Sequence, residues 1–128
     1  MVTLVCGPPC AGKNYYVEQR RKPGDLVLDQ DAIGATAYRA GVDELRSGRP
    51  PGDVWVIRCL GGASRRADFA RQIQADRVVL LDLPDSVLVE RAQQRTEPHR
   101  HIAAIKYWRT QEDRDPGGDP VPRSMTRW

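Results

Sequence analysis

The sequence predicts an α/β domain in which helices cover both faces of a short parallel β-sheet. Four short apolar runs recur along the 128 residues. They are continuous and rich in β-branched residues, which is typical of strands buried on both faces. Segments with helical periodicity separate these runs. The resulting alternation, β-α-β-α-β-α-β-α-α, indicates parallel strands joined by crossover helices, and the length fits one domain.

The individual elements follow in chain order from these local patterns. We expect strands at residues 2–6, 26–28, 54–57 and 78–81, and helices at residues 12–21, 32–45, 64–74, 86–95 and 101–111. A Pro-Pro-Gly break at residues 50–52 precedes the third strand, and Pro84 and Pro98 stand near the starts of the last two helices. We therefore predict a domain over residues 1–114 and a Pro/Gly-rich tail, flexible or extended, over residues 115–128.

The charge balance of the chain is mildly basic. Lys and Arg number 20 against 17 Asp and Glu, a formal net charge of +3. This charge is compatible with an anionic partner but too small to indicate nucleic-acid binding. No stretch approaches the length of a membrane span, and no basic leader precedes the apolar start. We therefore expect a cytoplasmic protein without a membrane partner, in the host cytoplasm if it is phage-encoded.

The three cysteines, Cys6, Cys10 and Cys59, suggest neither a disulfide framework nor a metal site. Their number is odd, and their spacing relative to His99 and His101 does not match zinc ligation. We expect reduced thiols and no zinc.

The most informative motif lies between the first strand and the first helix. It reads Gly7-Pro8-Pro9-Cys10-Ala11-Gly12-Lys13, followed by Asn14 and Tyr15. Glycines let backbone N–H groups turn inward on an anion, the lysine adds a mobile positive charge, and the helix start adds its dipole. We predict that residues 7–15 bind the phosphates of a nucleotide. The alternative is a Gly/Pro turn that happens to end in lysine.

Asn14 stands where the P-loop pattern has Ser or Thr, whose hydroxyl holds Mg²⁺. Its amide oxygen is a neutral ligand, and Mg²⁺ tolerates poor octahedral geometry badly. Either phosphates, water and carboxylates supply most of the ligands of the metal, or catalysis is lost. We predict ATP or another NTP and Mg²⁺ as cofactors, with Asn14 and Asp29 as metal ligands.

Two acids, Asp29 and Asp31, follow the second predicted strand. Ligands bind at the carboxyl ends of strands in such sheets, so one acid is placed to accept the proton of a substrate hydroxyl and the other to orient Mg²⁺. The alternative is helix capping, for which Asp31 is the better candidate because it precedes the helix expected at residue 32.

Several arginines are candidates for phosphate contacts. Arg91 and Arg95 are four residues apart and share a helix face, so they can belong to a lid that closes over nucleotide phosphates, or to a solvated basic face. Arg58 ends the third strand and can meet a phosphate or form a salt bridge. Arg65 and Arg66 can face a substrate phosphate or solvent. Tyr107 and Trp108 are expected to pack in the core or at its rim.

The chain resembles the small P-loop kinases. The resemblance is carried, in chain order, by residues 7–14, by Asp29 and Asp31, and by Arg91 and Arg95. The resemblance is to their polynucleotide-kinase-like and zeta-toxin-like branch, including compact phage kinases, and covers roughly residues 1–113. It implies a three-layer P-loop NTPase fold with a short, mostly parallel four-stranded sheet and a small helical lid. It also implies Asp29 or Asp31 as general base and Arg91 or Arg95 as lid arginine. The chain departs from the family pattern at Asn14 and shows no fifth strand.

Two functions follow from these observations. The first is transfer of an NTP γ-phosphoryl group to a hydroxyl of a nucleoside, nucleotide or nucleic acid. Similarity to kinases of 5-hydroxymethyluracil in phage DNA makes modified DNA one such substrate. The second is a degenerate P-loop protein that binds nucleotide or phosphate without turnover, favoured by Asn14 and by the lack of an acid after the third strand. A hydrolase ranks last because no residue obviously positions a water.

Overall fold

A five-stranded parallel sheet forms the centre of the fold. The computed structural model describes residues 1–116 and the backbone of residues 123–126. The strands are β1 (Val2–Cys6), β2 (Leu26–Asp29), β3 (Val54–Arg58), β4 (Arg77–Leu81) and β5 (Arg123–Thr126). Their order in the sheet is β2-β3-β1-β4-β5, and every pairing is parallel.

The helices cover both faces of this sheet. They are α1 (Lys13–Glu18), α2 (Gln30–Ile33), α3 (Ala35–Ser47), α4 (Ala63–Gln72), α5 (Asp85–Gln93) and α6 (Pro98–Arg114). On one face, α3 and α4 bury Leu45 and Phe69 against the strands. On the other, α1, α5 and α6 bury Val17, Leu88 and Ile105. The predicted three-layer α/β fold class is confirmed.

Two local features differ from the sequence-based prediction. The strand β5 lies in the segment expected to form a tail, and it adds a fifth strand to the four predicted. The helix expected over residues 32–45 is divided into α2 and α3 at Gly34, which has φ of 87°. Glycine adopts this left-handed conformation without the steric cost that a side chain imposes. The boundary at residue 114 stays a prediction.

The register of the strands brings their carboxyl ends to one edge of the sheet. Cys6, the last residue of β1, pairs with Arg58 of β3 and with Leu80 of β4. All five residues of β1 are buried, as expected for a central strand covered on both faces. The loops after β1, β2 and β3 therefore meet at this edge, where ligands bind in sheets of this class.

A buried ion pair fastens the end of α6 to the loop after β3. Arg66 is fully buried on α4, and its guanidinium donates two hydrogen bonds to the carboxylate of Glu112, at 2.6 and 2.9 Å. Arg66 also donates to the carbonyl of Leu60 at 3.0 Å, and Glu112 accepts from the amide of Gly62 at 2.9 Å. These further partners offset part of the desolvation of the two ions, while the buried Nε of Arg66 has no hydrogen-bond partner among the described residues.

Other contacts of α6 reach the same loop. The carboxylate of Asp115 accepts from the amide and the hydroxyl of Ser64, both at 2.9 Å, and so caps the start of α4. The indole of Trp108 donates to the carbonyl of Cys59 at 2.8 Å. A Cβ on Gly61 would lie 2.7 Å from the carbonyl oxygen of Trp108, so this close approach requires glycine.

No helix in the described part of the chain is both long and apolar enough to cross a membrane.

We predict that Glu112→Ala destabilises the fold strongly. The variant leaves the fully buried guanidinium of Arg66 without its carboxylate, and breaking a buried pair in this way costs about 3–5 kcal/mol. Urea unfolding followed by circular dichroism measures the change. Glu90→Ala on the exposed face of α5 is the matched control and should stay within about 0.5 kcal/mol of the parent. Equal stability of the two variants would contradict this role for the ion pair.

Candidate functional site

The loop formed by residues 7–13 crosses the carboxyl edge of the sheet between β1 and α1. The amide of Gly7 donates to the carbonyl of Cys59 at 3.3 Å, and the amide of Ala11 donates to the carbonyl of Pro8 at 3.2 Å. A Cβ on Gly7 would lie 2.8 Å from the carbonyl oxygen of Leu81. Gly12, at the other end, has φ of 87°. Glycine is therefore required at both ends of the loop. At Gly7 a side chain would collide with the backbone, and at Gly12 the backbone has a positive φ that disfavours other residues.

Lys13 folds back over this loop. Its ammonium donates to the carbonyl oxygens of Gly7 and Pro8, at 3.0 and 2.8 Å. These two bonds hold the positive charge over the start of the loop. An anion held by the loop would meet the ammonium there.

Arg91 reaches the same loop from α5. Its guanidinium donates to the carbonyl of Cys10 at 3.1 Å. Arg95, one turn later, is exposed, and its side chain makes no hydrogen bond or ion pair with the described residues. Of the two arginines expected on a lid, one contacts the loop and the other does not.

Of the two acids at the end of β2, the one that caps the following helix is not the one expected. Asp29 is buried and is the N-cap of α2, where its carboxylate accepts from the amide of Asp31 at 3.2 Å. Asp31 is exposed. The expectation that Asp31 is the capping residue is therefore wrong. The helix begins at Gln30, two residues earlier than predicted, so the cap falls on the last residue of the strand.

Asp29 and Asn14 line the same open cavity, of about 390 Å³, between α1, β2 and α2. Amide and carboxylate oxygens are the donors that suit Mg²⁺, so these two side chains fit the expected ion. Within the described part of the chain no group of three or more His, Cys, Asp and Glu side chains is arranged to hold a metal. Phosphate and water would therefore have to supply the remaining ligands, and the assignment of Asn14 and Asp29 stays a prediction.

β3 ends in a basic residue, Arg58, at a position where an acidic residue is common. Arg58 is its last residue, and the guanidinium carbon lies 4.6 Å from the centroid of the Phe69 ring. No described carboxylate lies within ion-pairing distance of Arg58, so the alternative of a salt bridge is not borne out among these residues. Arg66, in contrast, forms the buried pair with Glu112 and faces neither substrate nor solvent.

The thiols near the site differ in exposure. Cys6 and Cys10 are buried, Cys59 is exposed, and all three are unpaired. Burial raises the pKa of Cys6 to about 12, so this thiol stays protonated at neutral pH. His99 is exposed and His101 is half-buried. Tyr15, expected at the nucleotide site, is 58 % exposed.

Nothing in the sequence pattern indicated which residues distant in the chain support the site. Trp108, Glu112 and Asp115 hold the loop after β3, yet they lie about 50 residues away from it in the chain. Their spacing matches no motif, since it is set by the docking of α6 rather than by local chemistry. Trp108 is buried, as expected, whereas Tyr107 is 66 % exposed.

Comparisons with known proteins support the fold. No protein-family model matches the sequence, and no curated protein matches it. Among solved structures, the chain is similar to an unliganded sugar kinase from Janibacter sp. HTCC2649 with a TM-score of 0.55 at 12 % identity. The likeness covers 98 % of this chain and 84 % of that one. The fold of this chain is therefore kinase-like.

We predict that Lys13→Ala weakens ATP binding by about 10- to 100-fold, because a hydrogen bond to a charged group contributes roughly 1.5–3 kcal/mol. Calorimetric titration with ATP measures the change. Lys22→Ala, an exposed lysine outside the loop, is the control and should bind ATP as the parent does. Equal affinity of the Lys13→Ala variant and the parent would show that loop 7–13 is not a nucleotide site.

We predict that Asn14→Ser raises Mg²⁺-dependent ATP affinity or turnover, by up to about tenfold if one neutral contact is gained. The serine hydroxyl is more compact than the amide and suits octahedral Mg²⁺ better. Titrations with and without Mg²⁺ separate this gain from a general effect on the loop. No response to the metal in either protein would mean that residue 14 takes no part in metal binding.

Proposed function

We propose that this protein is an ATP-dependent phosphotransferase that moves the γ-phosphoryl group to a hydroxyl of a nucleoside, nucleotide or nucleic acid. The observation that carries the proposal is the arrangement around loop 7–13. The ammonium of Lys13 lies over the loop, and the guanidinium of Arg91 is bonded to its backbone. Two cations at a glycine-bracketed loop suit the charge of a transferring phosphoryl group.

The acceptor oxygen forms a bond to the γ-phosphorus while the bond from that phosphorus to the β–γ bridging oxygen breaks, and ADP leaves. Lys13 and Arg91 stabilise the charge on the transferring group. The carboxylate of Asp29 accepts the hydroxyl proton, since one of its oxygens remains beyond the capping bond to Asp31. Arg95 is then the secondary candidate for the lid arginine, and Asp31 is the secondary candidate for the general base.

Magnesium, when bound, would neutralise phosphate charge, and Asn14 is the side chain proposed to hold it. Asp29 would be the second ligand in the alternative assignment in which Asp31 is the base. The class of acceptor rests on the resemblance to polynucleotide-kinase-like proteins, which extends to modified bases in DNA.

The second candidate function is nucleotide or phosphate binding without turnover. It is favoured by Asn14, by the arginine that ends β3 in place of an acid, and by the use of Asp29 as a helix cap. A protein of this kind would bind ATP through Lys13 but transfer nothing.

We predict that Asp29→Asn lowers the rate of phosphoryl transfer by about 10²–10⁴, the usual contribution of a general base, while ATP affinity stays nearly unchanged. The test uses γ-labelled ATP and Mg²⁺ with a panel of nucleosides, nucleotides, oligonucleotides and modified DNA. Asparagine caps helices as well as aspartate does, so the variant removes the base and keeps the cap. Asp113→Asn, an exposed acid on α6, is the matched control, and Asp31→Asn tests the secondary candidate for the base.

The outcomes separate the two functions. Transfer by the parent that collapses in Asp29→Asn supports the enzyme and its base. Transfer that is equal in both would assign Asp29 to capping alone. If the parent transfers nothing to any acceptor in the panel yet binds ATP, the binding protein is the correct reading.

A further inference from the structure

The cavity that Asp29 lines, of about 390 Å³, has a mainly apolar wall, and we call it the Asp29 cavity. Cavities that hold small ligands are typically apolar, with a few polar groups that fix the orientation of the ligand. The carboxylate of Asp29 and the amide of Asn14 are such groups here. The aliphatic residues of the wall are Val17, Val27, Ala32, Ile33 and Ile57.

One aliphatic side chain of this wall is left open to solvent. Ile33, the last residue of α2, is 40 % exposed, whereas Val17 and Ile57 are buried. An apolar ring placed in the cavity would cover Ile33, and the removal of apolar surface from water is favourable. The wall therefore suits the ring of a ligand better than it suits a phosphate.

The charged groups of the Asp29 cavity disfavour an anion. The wall carries two carboxylates, Glu18 and Asp29, against one guanidinium, Arg21. That guanidinium already donates to the carboxylate of Glu18 and to the carbonyl of Asp25, both at 3.5 Å. The Mg²⁺ proposed at Asn14 would be outweighed by the phosphates of ATP. A second phosphate in this cavity would therefore meet an excess of negative charge.

Other cations at the carboxyl edge of the sheet do not line this cavity. Arg58 and Arg65 make no ion pair with the described residues, but they line a different cavity. Lys13 and Arg91 donate to carbonyl oxygens of the loop after β1 and are absent from this wall as well. Within the described part of the chain, Arg21 is thus the one cation of the Asp29 cavity.

We propose that the acceptor of the phosphoryl group is a small uncharged alcohol, a free nucleoside, whose ring lies in the Asp29 cavity against Ile33. The inference rests on the proposed function, and it selects the nucleoside from the three classes of acceptor named there. A nucleotide or a nucleic acid brings a phosphate that the wall repels. An uncharged nucleoside brings a ring for the aliphatic side chains and a hydroxyl for the carboxylate of Asp29.

The test compares deoxynucleosides, their 3′- and 5′-monophosphates and a short single-stranded oligonucleotide with a 5′-hydroxyl. Calorimetry measures their binding with a non-hydrolysable ATP analogue in the donor site, and γ-labelled ATP gives KM where transfer occurs. We expect nucleosides to bind about tenfold more tightly than either monophosphate or the oligonucleotide. The two monophosphates leave opposite hydroxyls free, so a preference over both reports on charge. Equal or tighter binding of any phosphorylated ligand would overturn the inference.

Glu18→Gln tests the charge of the wall. The variant removes a carboxylate and leaves Arg21 without its ion-pair partner, so it should raise monophosphate affinity by about threefold or more. Nucleoside affinity should change by less than about twofold, because an uncharged ligand does not sense this charge. Glu90→Gln, an exposed acid on α5 outside the cavity, is the matched control. An unchanged preference in Glu18→Gln would contradict the charge basis of the inference.

Ile33→Ala tests the apolar wall. It should weaken nucleoside binding by about three- to tenfold, because the ligand then covers less apolar surface, and it should leave ATP affinity unchanged. Leu26→Ala is the matched control, since Leu26 is an aliphatic residue of β2 that is 43 % exposed and does not line the cavity. Equal loss of nucleoside affinity in the two variants would contradict a role for Ile33 in binding.

These results separate the inference from the proposed function. Binding of nucleosides that depends on Ile33, in a protein that transfers nothing, would contradict the phosphotransferase and retain the nucleoside cavity. Transfer to nucleotides or to DNA at a KM below that of nucleosides would retain the enzyme and overturn the inference.

Discussion

The buried pair of Arg66 and Glu112 is the interaction on which the functional edge of this molecule depends. It ties the last turns of α6 to the start of α4, and through Leu60 and Gly62 it fixes the loop between β3 and α4. That loop in turn accepts a hydrogen bond from Gly7 through the carbonyl of Cys59. One ion pair thus links the two loops that face the proposed phosphate site. Such a pair is costly to desolvate, and its additional hydrogen bonds are what make it sustainable.

The fold was predictable from local patterns because the patterns that define it are local. Continuous β-branched runs and helical periodicity located β1 to β4 and the helices between them to within a few residues. β5 was not predictable, because its residues follow a Pro/Gly-rich segment and gain their strand partner only from β4. The division of α2 from α3 depends on the conformation of one glycine, and glycine alone does not predict whether a helix continues or breaks.

In the candidate site, too, features that depend on neighbouring residues were predictable and those that depend on distant contacts were not. The loop, its lysine and the acid that ends β2 were proposed as site residues from contiguous stretches of sequence. The identity of the cap was mispredicted because Asp29 and Asp31 have the same capping chemistry, and only the exact start of α2 distinguishes them. The residues on and just after α6 that hold the β3–α4 loop, Trp108, Glu112 and Asp115, could not be found, since they act across long chain separations. The same limit applied to the arginines: sequence composition could not tell Arg66, which is paired, from Arg58 and Arg65, which are not.

The bonds that Lys13 makes to its own loop bear on how any affinity measured for this protein should be understood. The ammonium donates to two carbonyl oxygens of the loop when no ligand is bound. A phosphate bound at the proposed site would have to compete with these internal acceptors, so its binding would be an exchange of partners rather than the gain of a new one. A chain that pre-positions its cation in this way gives up part of the attraction between that cation and an anion. In return, the charge is oriented and the two bonds help to hold the loop in shape without a ligand.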